Sequence, residues 1–580
     1  MATAGRNFWK QCRRVVRWLR ISILSLVFLT LCSLYYLNQV GLPDFVKAAV
    51  LDELRTRGLD LKFTRLRLQG YRGIIAENIR FGRVNEPEGP HFFAKEASIR
   101  LNRNALIKGE IQLKALVIRE GEFDWPLIQS NQPPYLLKGN GLMTEVRFLP
   151  NDEWELKQFE ALCLGAKIKL SGTLTNASFA RSWILGAQKN QSSHVPQIRE
   201  VLTTLEKCRF ASRPEIKIRA RADGRDMRRL SADLFLNSST ATTPWGAVND
   251  LLMTGRWLPS SETDPAASLR LFVKAGRVNA DWGEIKHAHF TGQFALQPSN
   301  PAPATVTAKL EVANLQTQWG DGRNLQVSAL MKQTGPADAS ERFDTELAIV
   351  AETLRAKWGR AENAELNATV RHSLSSWSPQ IADGRLTLRG IEAEPGKAEQ
   401  LQLKVHLVEP APQGPRQSDA SWGGWAMLEP FQLSWQSEAI GIESPKLQLQ
   451  RISCDGRWDS PAFELSKLHV ELYEKQLDAE AKLDVATREL RCQGRFDFDV
   501  HQLESLLSTN AQQELRRYEW VTPPLVEARA RAILPPWTNR GADWKGEVEP
   551  TLWLEGYFAA AAGAFRTVPV ESVHSHFSLS

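Results

Sequence analysis

From Leu61 to the end of the chain, apolar and polar positions alternate. Leu61-Lys62-Phe63-Thr64-Arg65-Leu66-Arg67-Leu68 sets the pattern. It returns at 97–101, 111–116, 167–170, 269–271, 385–388, 401–407 and 446–449. A period of two sends successive side chains to opposite faces of a strand, so each segment predicts a strand with one apolar face. Asp321-Gly322, Asp383-Gly384 and Asp455-Gly456 predict turns between strands. Three stretches carry a helical period instead. In the first, Pro43 to Gly58, the residues Phe45, Val46, Ala49, Val50 and Leu54 share one face. The others run from Val195 to Cys208 and from Gln502 to Tyr518. The predicted fold is mainly β: an elongated, twisted antiparallel sheet forming a groove, built of repeated units with a few short helices.

Repetition supports that architecture. Phe210, Pro214 and Arg219-Ala220-Arg221-Ala222 follow one predicted helix. Trp520, Pro524 and Arg529-Ala530-Arg531-Ala532 follow another, at one constant offset throughout. Trp282-Gly283, Trp319-Gly320 and Trp358-Gly359 recur at a nearly even, much shorter interval, and Cys454 and Cys492 are separated by a similar one. A period of about 38 residues suits one or two hairpins per unit, each burying part of its neighbour's apolar face. The Trp-Gly pairs read as packing and turn residues, and the joints Gln297–Pro303 and Glu409–Pro415 as excursions from the sheet.

Ahead of the sheet, the run from Ile21 to Leu37 carries no charge, and the uncharged stretch extends to Leu42. As a helix it is long enough to cross a bilayer. Arg6, Lys10, Arg13, Arg14, Arg17 and Arg20 precede it with no acid among them, and Tyr35 and Tyr36 stand at its far end. This arrangement predicts an uncleaved single-pass anchor, with the N-terminus cytoplasmic and the bulk across the membrane. A cleaved signal would carry small residues near Tyr35–Gln39, and there are none. The ranges predicted are a basic tail over 1–20, a span over 21–42 and an N-terminal module over 43–130. A repeated β-groove over 131–500, with a helical insert near 195–208, comes next. The last range, 501–580, holds the second helix and the start of a further unit, ending inside a strand as if incomplete.

Charge then excludes one class of partner. The chain has 72 Lys and Arg; six lie ahead of Ile21, leaving 66 against 66 acids. The body is formally neutral, whereas a nucleic-acid binder keeps a basic stripe on its folded part. No nucleic-acid partner is expected.

Candidate chemistry is sparse. His287-Ala288-His289 and His574-Ser575-His576 could each present two imidazoles on one face, but third and fourth metal ligands at suitable spacing are lacking. Asp497 and Asp499 share a strand face among Phe496, Phe498 and Val500 and read as solvated. Cys454 and Cys492 occupy equivalent positions in adjacent units, either as lateral neighbours in a disulfide or as free buried thiols. Phosphate loops, nucleophile elbows and zinc-protease motifs are all missing. The expectation is no catalytic residue, no metal and no cofactor.

The order of features up to about Gly121 resembles the N-terminal module of the AsmA-like family. The anchor and short helix lead into Arg55-Thr56-Arg57-Gly58-Leu59-Asp60-Leu61. Ala76–Gly82 and Phe93–Asn102 follow, and Ile107–Ile111 and Leu116–Gly121 close the series. Glu471-Leu472-Tyr473 and Leu483–Leu490 are similar to repeat text in larger bacterial members. The resemblance implies an inner-membrane anchor, a periplasmic β-groove with an apolar interior, and phospholipid moved between the membranes of diderm bacteria in outer-membrane biogenesis. It implies no catalytic residue. Leu401, Leu403 and Val405 are the candidate groove-lining residues, by alternation. The alternative is an envelope scaffold that supports outer-membrane protein assembly through protein partners and carries no lipid.

Overall fold

The computed structural model describes residues 4–579 except 57–60, 70–72, 82–90, 103, 106–107, 109–111, 130–131, 181–194, 261–265, 297–302, 335–341, 374–378, 395, 410–419, 445–446, 507–511, 514 and 539–542. The helix end expected at Gly58, most of the two predicted joints and the middle of the last predicted helix lie outside the described residues. The described chain is mainly β, with few helices.

Helix α1 spans Ala4–Gln39, and its apolar portion is Val15–Gln39. The basic tail is therefore already helical, and the helix stops short of the expected Leu42. Gly41 ends it: at φ +106° it adopts a backbone that a side chain would strain, and the Leu42 amide donates to the Leu66 carbonyl at 2.8 Å. A Cβ on Gly41 would lie 2.8 Å from that same carbonyl oxygen.

The chain forms two compact units, Met1–Ala275 and Gly276–Ser580. In the first, helix α2 (Asp44–Thr56) lays Val46 and Val50 on a sheet whose facing residues include Leu66, Ile74, Ile79, Ala97, Ile99 and Leu116. Phe45, expected on that face, is 75 % exposed and points away. From Arg65–Gln69 to Ala166–Thr175 the strands pair antiparallel in chain order.

Helix α3 (Val195–Lys207) then intervenes, and Glu215–Asp223 returns parallel to Ala166–Thr175. A parallel return needs a long crossover, which the helical insert supplies. The sheet is thus mixed, not purely antiparallel. Glu215 sits at the start of this strand between Lys169 and Lys217, and their ammonium groups lower its carboxyl to about 2. A carboxyl whose folded pKa is depressed adds stability above its unfolded pKa of about 4.3 and loses it as pH falls towards 2. Glu215→Gln should therefore lower the urea midpoint at pH 7, with the gap to wild type closing between pH 4 and 2. Parallel curves across that window would show that the pairing adds nothing.

The second unit is an antiparallel meander. Its strands Gly283–Leu296, Pro303–Thr317, Gly320–Gln333, Arg342–Ala356, Gly359–Ser373, Pro379–Ala393, Gly396–Val408, Gln432–Ser444 and Leu447–Asp459 each pair with the next. The Trp-Gly repeat is one hairpin, since Gly283, Gly320 and Gly359 each open every second strand. Asp321-Gly322, Asp383-Gly384 and Asp455-Gly456, expected in turns, lie inside strands. Gly384 and Gly456 fill small positions on one face of the sheet.

The long-range duplication holds in part. Pro214 and Pro524 are both fully buried ahead of their alternating strands. However, the described start of the second helix, Val500–Leu506, is 3-10 in form, and the strand after it, Leu525–Ile533, pairs antiparallel with Glu489–Phe496. Cys454 and Cys492 are not lateral neighbours. The strands Ala462–Leu472 and Lys475–Asp484 lie between them. Three strand spacings put them about 14 Å apart, beyond the reach of a disulfide. Both are free thiols, as are the other four cysteines.

Candidate functional site

Register makes the second unit's apolar face explicit. Phe290 pairs with Leu310, Leu310 with Val327, Val327 with Ile349, Ile349 with Leu366, Leu366 with Leu386, and Leu386 with Leu403. Directly opposed residues point to the same side of a sheet, so these seven form one continuous apolar row across seven strands. A parallel row two residues along each strand runs Gly292, Ala308, Ala329, Leu347, Ala368, Gly384 and Val405, then Trp435 and Gly456. It is made mostly of small residues. A Cβ on Gly384 would meet nothing within 4 Å, so the face is open there.

How well each part is covered separates the two units. Beneath α2 in the first unit, Leu66, Ile79 and Ile99 are 0–2 % exposed. In the second unit, every member of the Phe290–Leu403 row is only half-buried. Leu401, together with Leu386 of the row itself, packs at the margin of a small buried cluster of Ala351, Ala361, Ala364 and Leu388. Of the expected groove residues, Leu403 therefore lies in the open row, Val405 in the small-residue row, and Leu401 beside a closed patch. All three share the face, as alternation predicts.

Further along, the same face is capped. The short 3-10 segment Ala420–Met427 brings Trp422 and Trp425 onto Trp458, Phe463, Leu483 and Val485, and Trp537 joins from beyond the strands. Trp425 stacks on Trp458 at 5.4 Å and meets Trp537 edge-on at 5.8 Å. The Trp458 indole donates to the Leu428 carbonyl and the Trp537 indole to the Val485 carbonyl. Reasoning from the sequence missed this cap. Its signal was the density of tryptophan at 422, 425, 435, 458 and 537, beside a stretch read only as an excursion.

A cavity of about 1110 Å³ follows the small-residue row from Ala308 to Gly456, but on different walls. It takes in the residues immediately before and after each of these centres and none two positions away. Lys309, Glu346, Asp383, Arg385, Lys404 and Arg457 are among them. By alternation they point to the opposite side, so the cavity lies on the back of the sheet. It is distinct from the apolar face.

Among the described residues no group of three or more His, Cys, Asp or Glu is placed to hold a metal. His287 sits in a left-handed backbone at φ +54°, which bends the strand between the two imidazoles. His574 instead shares a 2.7 Å hydrogen bond with the Tyr557 hydroxyl. The Asp499 carboxylate accepts from the Trp520 indole and from His501, and these bonds help hold it below the usual carboxylate range despite partial burial. It serves as a structural acceptor. Comparison with family models, curated proteins and solved structures returns no match for this chain.

Proposed function

We propose that the chain is a membrane-anchored, non-enzymatic carrier of phospholipid between the inner and outer membranes of a bacterial envelope. In this reading α1 crosses the inner membrane with its basic end in the cytoplasm, and both β units stand in the periplasm. The observation that carries the proposal is the half-buried row from Phe290 to Leu403, an apolar strip seven strands wide that no described helix covers. An exposed apolar surface of that length on a soluble body invites aggregation unless something apolar occupies it. An acyl chain is a fitting occupant, since each CH₂ withdrawn from water is worth about 0.8 kcal/mol. The resemblance of the chain up to about Gly121 to the AsmA-like module, and the single apolar helix among the described residues, support the same reading.

The test is in vivo crosslinking from photoreactive residues at Leu386, Leu403 and Gln402. Lipid adducts at Leu386 and Leu403 but not at Gln402, which faces the other side, are expected. Protein adducts alone would replace the carrier with the scaffold reading, and equal lipid labelling at all three positions would remove the face-specific argument.

A further inference from the structure

The Trp-Gly pairs do something the lipid reading leaves unused. Trp282, Trp319 and Trp358 are 42 %, 64 % and 73 % exposed, so they are turn residues but not packing residues. Each occupies the turn that opens every second strand of the second unit, and all three therefore stand along one edge of the sheet. Their glycines hold that edge in line. A Cβ on Gly283 would lie 2.2 Å from the Gln316 carbonyl oxygen, and one on Gly320 2.2 Å from that of Arg355. Only glycine lets the next hairpin come this close. The Gln318 amide also donates to the Trp282 carbonyl, tying one turn to the next. The Thr317 hydroxyl brackets its turn, accepting from the Trp319 and Gly320 amides and donating to the Gly320 carbonyl. Thr243 makes two of these bonds around the equally exposed Trp245 in the first unit.

The result is a ladder of solvent-facing indoles two strand spacings apart, about 9–10 Å. Fixed spacing selects a periodic ligand. The disaccharide repeat of a β-1,4-linked glycan is of the same length, and the flat apolar face of a pyranose ring stacks on an indole while its hydroxyls stay in water. The twist of the sheet turns successive tryptophans by roughly 40–50°. A single hydrated strand can follow that turn and a flat surface cannot. A membrane needs no fixed period, and the exposed Asp281, Asp321 and Lys357 beside these indoles would oppose dry insertion. We infer that Trp282, Trp319 and Trp358 form a docking strip for a β-1,4-linked glycan strand, independent of the lipid-carrying face.

The experiment is calorimetry on the full chain in nanodiscs, titrated with the β-1,4-linked hexamer and the dimer of N-acetylglucosamine. A parallel co-flotation uses vesicles of phosphatidylethanolamine and phosphatidylglycerol. Saturable binding of the hexamer, at least tenfold tighter than the dimer, is expected. Trp319→Ala, the middle rung, should weaken it at least tenfold, and Trp319→Phe should restore most of the loss. Trp544→Ala, at another exposed tryptophan, should leave binding unchanged. The inference falls if the hexamer does not bind, if binding ignores Trp319, or if these tryptophans promote vesicle binding alone.

Discussion

Aspartate placed together at Leu366, Leu386 and Leu403 should reduce the phospholipid that co-purifies with the full chain by at least about tenfold. These three are successive cross-strand partners in the open row. Half-buried, their carboxylates keep water at their ends and stay ionised, and an acyl chain lying over them would have to strip that water away. Losing contact with only two CH₂ groups gives up about 1.6 kcal/mol, which already exceeds a factor of ten in affinity. Like charges directly opposed across strands also weaken the sheet, so this variant alone could lose lipid by unfolding. Gly384→Trp separates the two causes. Its backbone is outside the left-handed region and its Cβ has open space, so an indole there fills the face without charge and without a backbone clash. Both variants should lose lipid, measured by mass spectrometry of the extracted complex, and Gly384→Trp should keep the wild-type urea midpoint. Wild-type lipid content in a folded Gly384→Trp protein would exclude the face as the binding surface.

The strands were legible because their physics is local. Alternation at Leu401–Leu407 alone places Leu401, Leu403 and Val405 on one side, and the sheet keeps them there. The hairpin period was legible for the same reason, since each hairpin opens on a glycine that the next strand requires. What depends on distant residues was not legible. Asp383-Gly384 has the local chemistry of a turn, but pairing on both sides holds it in a strand, where the missing side chain serves the face. The parallel return of Glu215–Asp223 depends on a crossover whose direction no local pattern encodes. Cys454 and Cys492 looked adjacent because the repeat was counted as a single strand step, whereas the chain between them crosses three, through the short strands Ala462–Leu472 and Lys475–Asp484. Phe45 carries the right period but sits at the edge of the apolar arc of α2, where only Val46 and Val50 reach the core.

The tryptophan cap, the part of the face that local pattern hid most completely, should carry the largest single side-chain contribution in the second unit. Trp458 is 1 % exposed, opposes Leu433 and Phe463 in its row, stacks on Trp425 and donates to the Leu428 carbonyl at 2.8 Å. Trp458→Ala removes a fully buried indole from a packed cluster, and about 3–5 kcal/mol of stability should go with it. Trp458→Phe keeps most of the ring contact but loses the donor, for a smaller cost near about 1 kcal/mol plus the unfilled volume. Trp537→Ala should cost less than Trp458→Ala, and the double variant less than the sum, because both lean on Trp425. Hydrogen exchange on the full chain locates the effect. Protection should fall in Leu447–Asp459, Ala462–Leu472 and Lys475–Asp484, while the α2-covered strands of the first unit exchange as before. Uniform loss of protection in both units would mean that the cap stabilises the whole chain, and no loss would mean that the sheet holds without it. In the expected case the cap is a local seal: it closes one stretch of an apolar face that stays only half-buried from Phe290 to Leu403.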